Sequence, residues 1–357
     1  MPEKILIIQT AFLGDLILST SFFHAVKTEH PGAEIHVLVN AGTESVLENN
    51  PDLTKVWSLD KKRIKKNPFA FLHFAGLLKK ENFNKVYSAH FSFRSSLLSY
   101  LTRAPIRIGY KESGFSFLHT KTVQRPKQGP HEVEKLFSLL FEEYDYPTGR
   151  ERRPYLFPGK PEEDSFLTKK KEILNHEEGY ILIAPSSLWE TKRMPEEKFV
   201  SVITQILRKR KETVILIGSK ADLEIENTII RLMKTEPLEL KERDRLFSLV
   251  GKTNLKELMV WIRNASAIIS NDSSPIHFAS AFNTPTVMLY GATIPAFGYG
   301  SLSDKHKIME VQGLNCRPCG IHGGRICPEG HFRCMMDQNP VRIFEALEEV
   351  ITHEITK

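Results

Sequence analysis

The sequence predicts an α/β protein made of two doubly wound, Rossmann-like domains that face each other across a cleft. Three features carry that prediction. Short apolar runs alternate with longer segments of helical period, several of these runs end in small polar residues, and the rhythm occurs twice within 357 residues. Parallel strands joined by crossover helices produce this alternation.

In the first half, Lys4–Thr10 reads as a strand, Leu16–Glu29 as a helix, and Glu34–Val39 as a strand ending in Asn40. Lys55–Leu59 and Lys85–His90 follow as strands, with a helix over Ser95–Leu101. The second half begins with a strand at Tyr180–Ala184, a helix at Glu196–Lys209 and a strand at Thr213–Gly218. Helices at Leu255–Asn264 and Pro275–Phe282 then alternate with strands at Ala267–Ser270 and Thr286–Tyr290. The expected domains are residues 1–155 and 179–357, the latter including a cysteine-rich loop at 313–337. Residues 156–178, rich in proline and charge, are expected as a linker containing a helix.

A hydrophobic content of 41% with 26% charged residues fits a water-soluble globular chain. No apolar run approaches the ~18 residues of a membrane span. Pro2-Glu3-Lys4 leads straight into Ile5-Leu6-Ile7-Ile8, too short for a signal-peptide core, so a cytoplasmic location is expected. The net charge of +6 is unevenly spread. Lys55 to Lys111 holds 13 Lys or Arg against Asp60 and Glu81, a local +11, and the remaining chain sums to −5. Such a stretch is a solvated lysine-rich face or a surface for a phosphorylated lipid or other polyanion. Within it, Pro68-Phe69-Ala70-Phe71-Leu72-His73-Phe74-Ala75-Gly76-Leu77-Leu78 precedes Lys79-Lys80, which suits a buried helix with a wet edge or peripheral contact with an anionic membrane. No nucleic-acid motif accompanies the charge, and nucleic acid is not expected as a partner.

The most informative segment is Ser270-Asn271-Asp272-Ser273-Ser274-Pro275-Ile276-His277. A strand runs into small polar residues and a helix begins at once, with Ser273 or Ser274 as N-cap and Pro275 in the first turn. The free N–H groups of that helix favour an anion such as a diphosphate. Asp272 stands at the carboxyl end of the strand, where open α/β sheets place ligand groups. His277 either touches those phosphates or packs against the neighbouring strand. After the first strand, Gly14 permits a tight turn and Asp15 caps or opens the following helix, a cap being the simplest role for a lone Asp there. Ser186 and Ser187 follow another strand end, with Lys192 and Arg193 just before the next helix. Hydroxyls and cations of this kind neutralise a leaving diphosphate, although a solvent-exposed basic turn has the same composition.

Together these pieces resemble glycosyltransferase family 9, the lipopolysaccharide heptosyltransferases, and among them the heptosyltransferase II type. The resemblance spans roughly Lys4 to Val350. It rests on Gly14-Asp15-Leu16-Ile17-Leu18-Ser19, Ser92-Phe93-Arg94-Ser95-Ser96-Leu97-Leu98 and Arg107-Ile108-Gly109-Tyr110, then on Lys192-Arg193-Met194-Pro195, Gly218-Ser219, Asn271 to His277 and Gly291-Ala292-Thr293. It implies a GT-B fold and inverting transfer of heptose from ADP-heptose to the lipid A–Kdo inner core, without an obligatory cofactor. By the same resemblance Asp15 takes the place of the catalytic base, Lys192 that of a diphosphate-binding lysine, and Asp272 with the amides after it the donor site. Ser186, Ser187, Ser273 and Ser274 complete the expected donor set. Lys61, Lys62, Arg63 and Arg94 are the candidates for an anionic acceptor, at the cytoplasmic surface of the inner membrane. Ser274 departs from the family, which commonly has glycine there; its Cβ limits access to positive φ. Two other readings remain: a transferase using a different nucleotide sugar, and a non-catalytic nucleotide-sugar-binding protein, for which the base Asp15 has no use.

All four cysteines, Cys316, Cys319, Cys327 and Cys334, fall in one short stretch with the pattern C-x2-C-x7-C-x6-C, and His322 and His331 lie nearby. That spacing suits a structural zinc site, or free thiols tucked into a loop. Disulfides are the poorer explanation in a reducing compartment. A metal here would hold the loop together and take no part in the chemistry.

Overall fold

The computed structural model describes residues 2–141, 149–174 and 178–352. The chain divides into two compact units, Met1–Phe157 and Pro158–Lys357. Each is built on a six-stranded sheet whose strands all pair in parallel.

The first sheet contains β1 (Lys4–Ile8), β2 (Glu34–Asn40), β3 (Lys55–Leu59), β4 (Lys85–Ser88), β5 (Ile106–Tyr110) and β6 (Lys121–Val123). Its spatial order is β3-β2-β1-β4-β5-β6. The helices of this unit are α1 (Leu13–Glu29), α2 (Lys61–Lys66), α3 (Pro68–Lys80), α4 (Phe93–Leu101) and α5 (Glu132–Phe137). Ile5, Leu6, Ile7 and Ile8 are all buried, as a central parallel strand covered on both faces requires. One core cluster joins Leu6 and Ile8 to Leu38, Leu59, Ala75, Leu78, Phe83, Val86 and Leu98.

The second unit carries α6 (Lys160–Ile173), β7 (Tyr180–Ala184), α7 (Glu196–Lys209), β8 (Thr213–Leu216), α8 (Leu223–Met233), α9 (Leu240–Arg243) and β9 (Leu246–Ser248). It continues with α10 (Leu255–Arg263), β10 (Ala267–Asn271), α11 (Ser274–Phe282), β11 (Thr286–Tyr290), β12 (His306–Glu310), α12 (Arg333–Met336) and α13 (Pro340–Thr352). The order β12-β11-β10-β7-β8-β9 repeats that of the first sheet, strand for strand. Phe199, Ile203, Ile206 and Leu207 line the buried face of α7 at helical spacing and pack on the strands. Asn254 and Glu257 cap α10 reciprocally. Glu257 also accepts from Ser165 at 2.6 Å and Lys169 at 2.9 Å, which docks α6 on α10. The segment expected as a linker thus carries a helix packed on the second unit.

The strands and helices anticipated from alternation are present within a few residues. Those without a strong pattern are additional: β6 and β9 have three residues each, and β12 is the largely polar His-Lys-Ile-Met-Glu. Among the described residues, no helix is long and apolar enough to cross a membrane.

Candidate active site

In an open parallel sheet, ligand groups gather at the carboxyl ends of the strands where the strand order reverses. That position lies between β1 and β4 in the first unit and between β7 and β10 in the second.

After β1, helix α1 begins at Leu13, three residues earlier than anticipated. Gly14 and Asp15 therefore lie inside its first turn, and Gly14 makes no separate turn. Asp15 Oδ2 accepts the Phe12 N–H at 3.2 Å, so the carboxylate caps the helix from its third position. Two of the proposed acceptor residues lie near it. Lys61 Nζ donates to the Thr10 carbonyl. Burial, and then the Arg94 charge, lower Lys61 below the usual ammonium range, while Asp15 pulls it back up. Asp15, Lys61 and Arg94 thus form one electrostatic group. Lys62 and Arg63 are exposed on α2, and their backbone N–H groups bond Asp60 Oδ1 at 2.9 and 3.0 Å. Lys62 joins Lys61, Asn40, Gly42 and Leu59 around a cavity of about 500 Å³. Asn40 donates to the Ala11 carbonyl at 2.5 Å, and its Oδ1 is buried with no partner among the described residues.

Sequence reasoning missed Glu132 and Arg125. Burial pushes the Glu132 carboxyl up and Asp15 pushes it the same way, against the opposing pull of Arg125, whose Nη2 meets both carboxylate oxygens at 2.6 Å. No short motif signals this pair, because the two residues lie in a loop and a six-residue helix. The Arg107-Ile108-Gly109-Tyr110 motif is structural. A Cβ on Gly109 would stand 2.4 Å from the His119 ring, and Tyr110 donates to the Lys135 carbonyl at 2.8 Å.

In the second unit, Asp272 follows β10 and is 7% exposed. Its Oδ2 accepts from Lys192 Nζ and from Thr293 Oγ1, both at 2.6 Å. Ser273 is the N-cap of α11 and Ser274 its first residue, with Pro275 in the first turn. Ser273 Oγ donates to the Asn271 carbonyl at 3.3 Å and leaves the first N–H groups of the helix unbonded by its side chain. Ser274 is helical, so the backbone makes no use of the freedom a glycine would bring. Asp272, Lys192, Ser273 and Ser274 therefore share one end of the sheet. Ser186 and Ser187 follow β7. Ser186 Oγ donates to Asp222, which also accepts from Ser219 N–H at 2.7 Å and Ser219 Oγ at 2.8 Å. The Ser187 carbonyl accepts from Arg193 Nε at 2.6 Å. The Ser186 hydroxyl and the Ser187 carbonyl are thus engaged with protein partners, and Asp222 was not anticipated. His277 is buried within α11; burial pushes it down to about 4, Asp272 raising and Lys192 lowering it in turn, and its Nδ1 has no partner among the described residues.

The cysteine loop forms the wall behind Lys192. Gly324 N–H donates to Thr191 Oγ1 at 2.8 Å, and the Thr191 N–H donates to the Gly324 carbonyl at 3.0 Å. Arg317 Nη2 donates to the Thr293 carbonyl at 2.7 Å. Gly323, at φ +79°, passes so close that a Cβ would stand 2.9 Å from Thr191 Oγ1 and 3.3 Å from Lys192 Cγ. All four cysteines are free thiols. Among the described residues, no three Cys, His, Asp or Glu side chains are gathered as a metal-binding group.

Comparison with known proteins gives the family and the fold. The model of glycosyltransferase family 9 (heptosyltransferase) matches residues 72–325. Lipopolysaccharide heptosyltransferase 2 of Escherichia coli K12 is 25% identical over 98% of this chain and 99% of its own. Lipopolysaccharide heptosyltransferase 3 of E. coli is 28% identical over 79% of this chain and 82% of its own. The solved structure of E. coli ADP-heptose lipopolysaccharide heptosyltransferase II superposes with a TM-score of 0.77 at 24% identity, covering 98% of both chains. Its two Rossmann-like sheets are those of the GT-B architecture, and this chain belongs to glycosyltransferase family 9, the heptosyltransferases.

Proposed function

We propose that this chain transfers L-glycero-D-manno-heptose from ADP-heptose to the inner core of lipopolysaccharide, with inversion, on an acceptor that already carries one heptose. The observation that carries the reading is the Lys192–Asp272 pair at the N-terminus of α11. A lysine held 2.6 Å from a buried carboxylate, at the start of a helix, is ready to exchange that partner for a diphosphate. Asp15 is assigned as the base. It takes the proton of the acceptor hydroxyl as the new oxygen–carbon bond forms at the anomeric carbon. The bond from that carbon to the diphosphate breaks on the opposite face, and ADP leaves with the electron pair. Lys192 and the α11 amides stabilise that charge, a role for which loss of one donor costs on the order of 10²–10³ in rate. Lys61 and Arg94, beside Asp15, supply positive charge suited to a phosphorylated acceptor.

The acceptor is a lipid, and the reading places the chain at the cytoplasmic surface of the inner membrane. Lys62, Arg63, Lys65 and Lys66 are exposed on α2, and Phe69 and Leu72 on α3 are 80% and 57% exposed. Cations beside exposed apolar side chains suit an anionic bilayer.

The test is ADP release from ADP-heptose with a core acceptor bearing one heptose, against the same mixture without acceptor and one with a heptose-free acceptor. Release that requires the mono-heptosylated acceptor supports the assignment. Equal release with heptose-free acceptor moves the step, and no release while ADP still binds moves the donor or acceptor.

A further inference from the structure

We infer that an aromatic knuckle on the first unit, Phe93 and Tyr100 of α4 with Phe115 and Phe117 in the turn after β5, docks on the surface of an anionic bilayer. The pattern of α4 is inverted. The helix buries Ser95, Ser96, Leu98 and Ser99, while Phe93, Leu97 and Tyr100, at i, i+4 and i+7, line its other face. Phe93 is 49% and Tyr100 48% exposed. The turn after β5 widens this surface. The Phe93 and Phe115 rings lie 6.0 Å apart and the Phe115 and Phe117 rings 5.8 Å apart, with Phe115 48% and Phe117 79% exposed. Folding stability does not account for the exposure. Phe115 sits at φ +62°, an unfavourable conformation for a bulky side chain, and recovers little of that cost by burial.

The knuckle is held in place from several sides. Gly114 passes so close to α4 that a Cβ there would stand 2.8 Å from Phe93 Cβ. His119 Nε2 and Ser96 Oγ are hydrogen-bonded at 3.1 Å, Arg107 Nε donates to the Leu118 carbonyl at 3.1 Å, and the Leu118 N–H donates to the Phe115 carbonyl at 3.0 Å. Charge selects the occupant. Between Phe91 and His119 lie Arg94, Arg103, Arg107 and Lys111 against one acid, Glu112. The Arg94 guanidinium stands 5.1 Å from the centre of the Phe93 ring, and that of Arg107 5.7 Å from Tyr100. Rings bordered by guanidinium groups match the acyl boundary and the phosphates of an anionic bilayer. A second copy of the same surface would set these cations against their own kind. Topology gives the contact a place. In a sheet whose strands are all parallel, β4 neighbours β1 and β5 neighbours β4, so the knuckle emerges at the same edge as Asp15 and the α2 lysines. The α2 lysines supply a screened attraction; the knuckle adds apolar insertion that salt does not weaken. The docking stands on its own observations, and only its use, bringing a lipid acceptor to the edge that carries Asp15, rests on the proposed function.

The experiment is co-sedimentation of the full-length protein with vesicles of phosphatidylglycerol and phosphatidylethanolamine, and with vesicles of phosphatidylcholine, at low and high salt. The anionic vesicles should bind the protein more tightly, and part of that binding should survive high salt. Phe115→Asn/Phe117→Ser should lower the surviving part about tenfold or more. Asparagine accepts the left-handed conformation, so the melting midpoint should not fall. A separate variant, Phe117→Trp, should gain emission that brominated acyl chains quench, beyond the quenching of the wild-type protein, and it decides the matter should the double variant fail to fold. Equal binding to phosphatidylcholine, unchanged salt-resistant binding in a folded double variant, or no added quenching of Phe117→Trp overturns the inference. A dimer in solution that the double substitution dissociates overturns it in favour of a second copy. Failure of the proposed function reads differently. With docking intact, no ADP release on either a soluble, chain-free acceptor or a vesicle-held one removes the function alone. If both acceptors are used, the double variant should lose activity only on the vesicle-held one.

Discussion

The two sheets share one strand order and place acidic residues at equivalent ends, but they prepare those residues differently. In the first unit Asp15 is half-buried, bonded to a backbone N–H three residues away, and within electrostatic reach of Lys61. In the second, Asp272 is buried, bonded to a lysine and a threonine, and walled by a loop more than 40 residues further along the chain. An acid that must exchange protons with an incoming hydroxyl needs access. A cation that receives a diphosphate needs to be held in place before the ligand arrives. On the proposed assignment, the same topology serves as an open acceptor end and a braced donor end.

The largest test of this contrast is Asp15→Asn. Turnover should fall by about 10²–10⁴ with ADP affinity unchanged in calorimetry; a collapse of ADP affinity with surviving turnover would make Asp15 only a helix cap. Lys192→Met should cost about 3 kcal/mol in a denaturant melt, because it leaves a buried carboxylate without its cation, and should weaken ADP binding. Adding Asp272→Asn should recover the stability and leave ADP binding weak. Recovery of both would remove Lys192 from the donor site.

Acid sharpens the comparison differently, because each unit buries histidine that burial holds neutral. His119 is pushed down to about 4 by burial, with Arg107 adding to the effect, and His277 likewise by burial. The unfolded histidines protonate first as pH falls, so stability is fully present above about 6.5 and is lost as pH falls toward 4. Each contributes roughly 3 kcal/mol at most. His277→Gln should flatten the acid limb of the second unit's unfolding and leave that of the first; an unchanged limb would show that His277 is not buried neutral. The smallest expected effect is that of Lys62→Glu/Arg63→Glu. Stability should move by less than about 0.5 kcal/mol, while binding to anionic lipid vesicles drops and loses its salt sensitivity. Unchanged vesicle binding would take α2 out of the membrane surface.

Much of this was legible in the residues. Tyr180–Ala184 and Val287–Tyr290 are continuous apolar runs, and the structure buries each completely. Asp272, Lys192, Ser273 and Ser274 were identified from strand-end and helix-start chemistry, which is local. Asp222 and Glu132 were not, because their meaning lies in partners: Ser186 is 36 residues from Asp222, and Arg125 meets Glu132 only through the fold. Lys62 and Arg63 share composition with Lys61, yet only Lys61 turns inward to the Thr10 carbonyl. A charge run shows that cations are abundant and not which of them faces the site.

The hydrogen bonds between Thr191 and Gly324 span 133 residues. During synthesis, the contact that orients Asp15 is complete almost as soon as α1 leaves the ribosome. The wall behind Lys192 must wait until nearly the whole chain has emerged. Ordering a segment across so long a separation carries a closure cost that local contacts avoid, so this end of the second sheet should be the last part of the molecule to mature and the first to open.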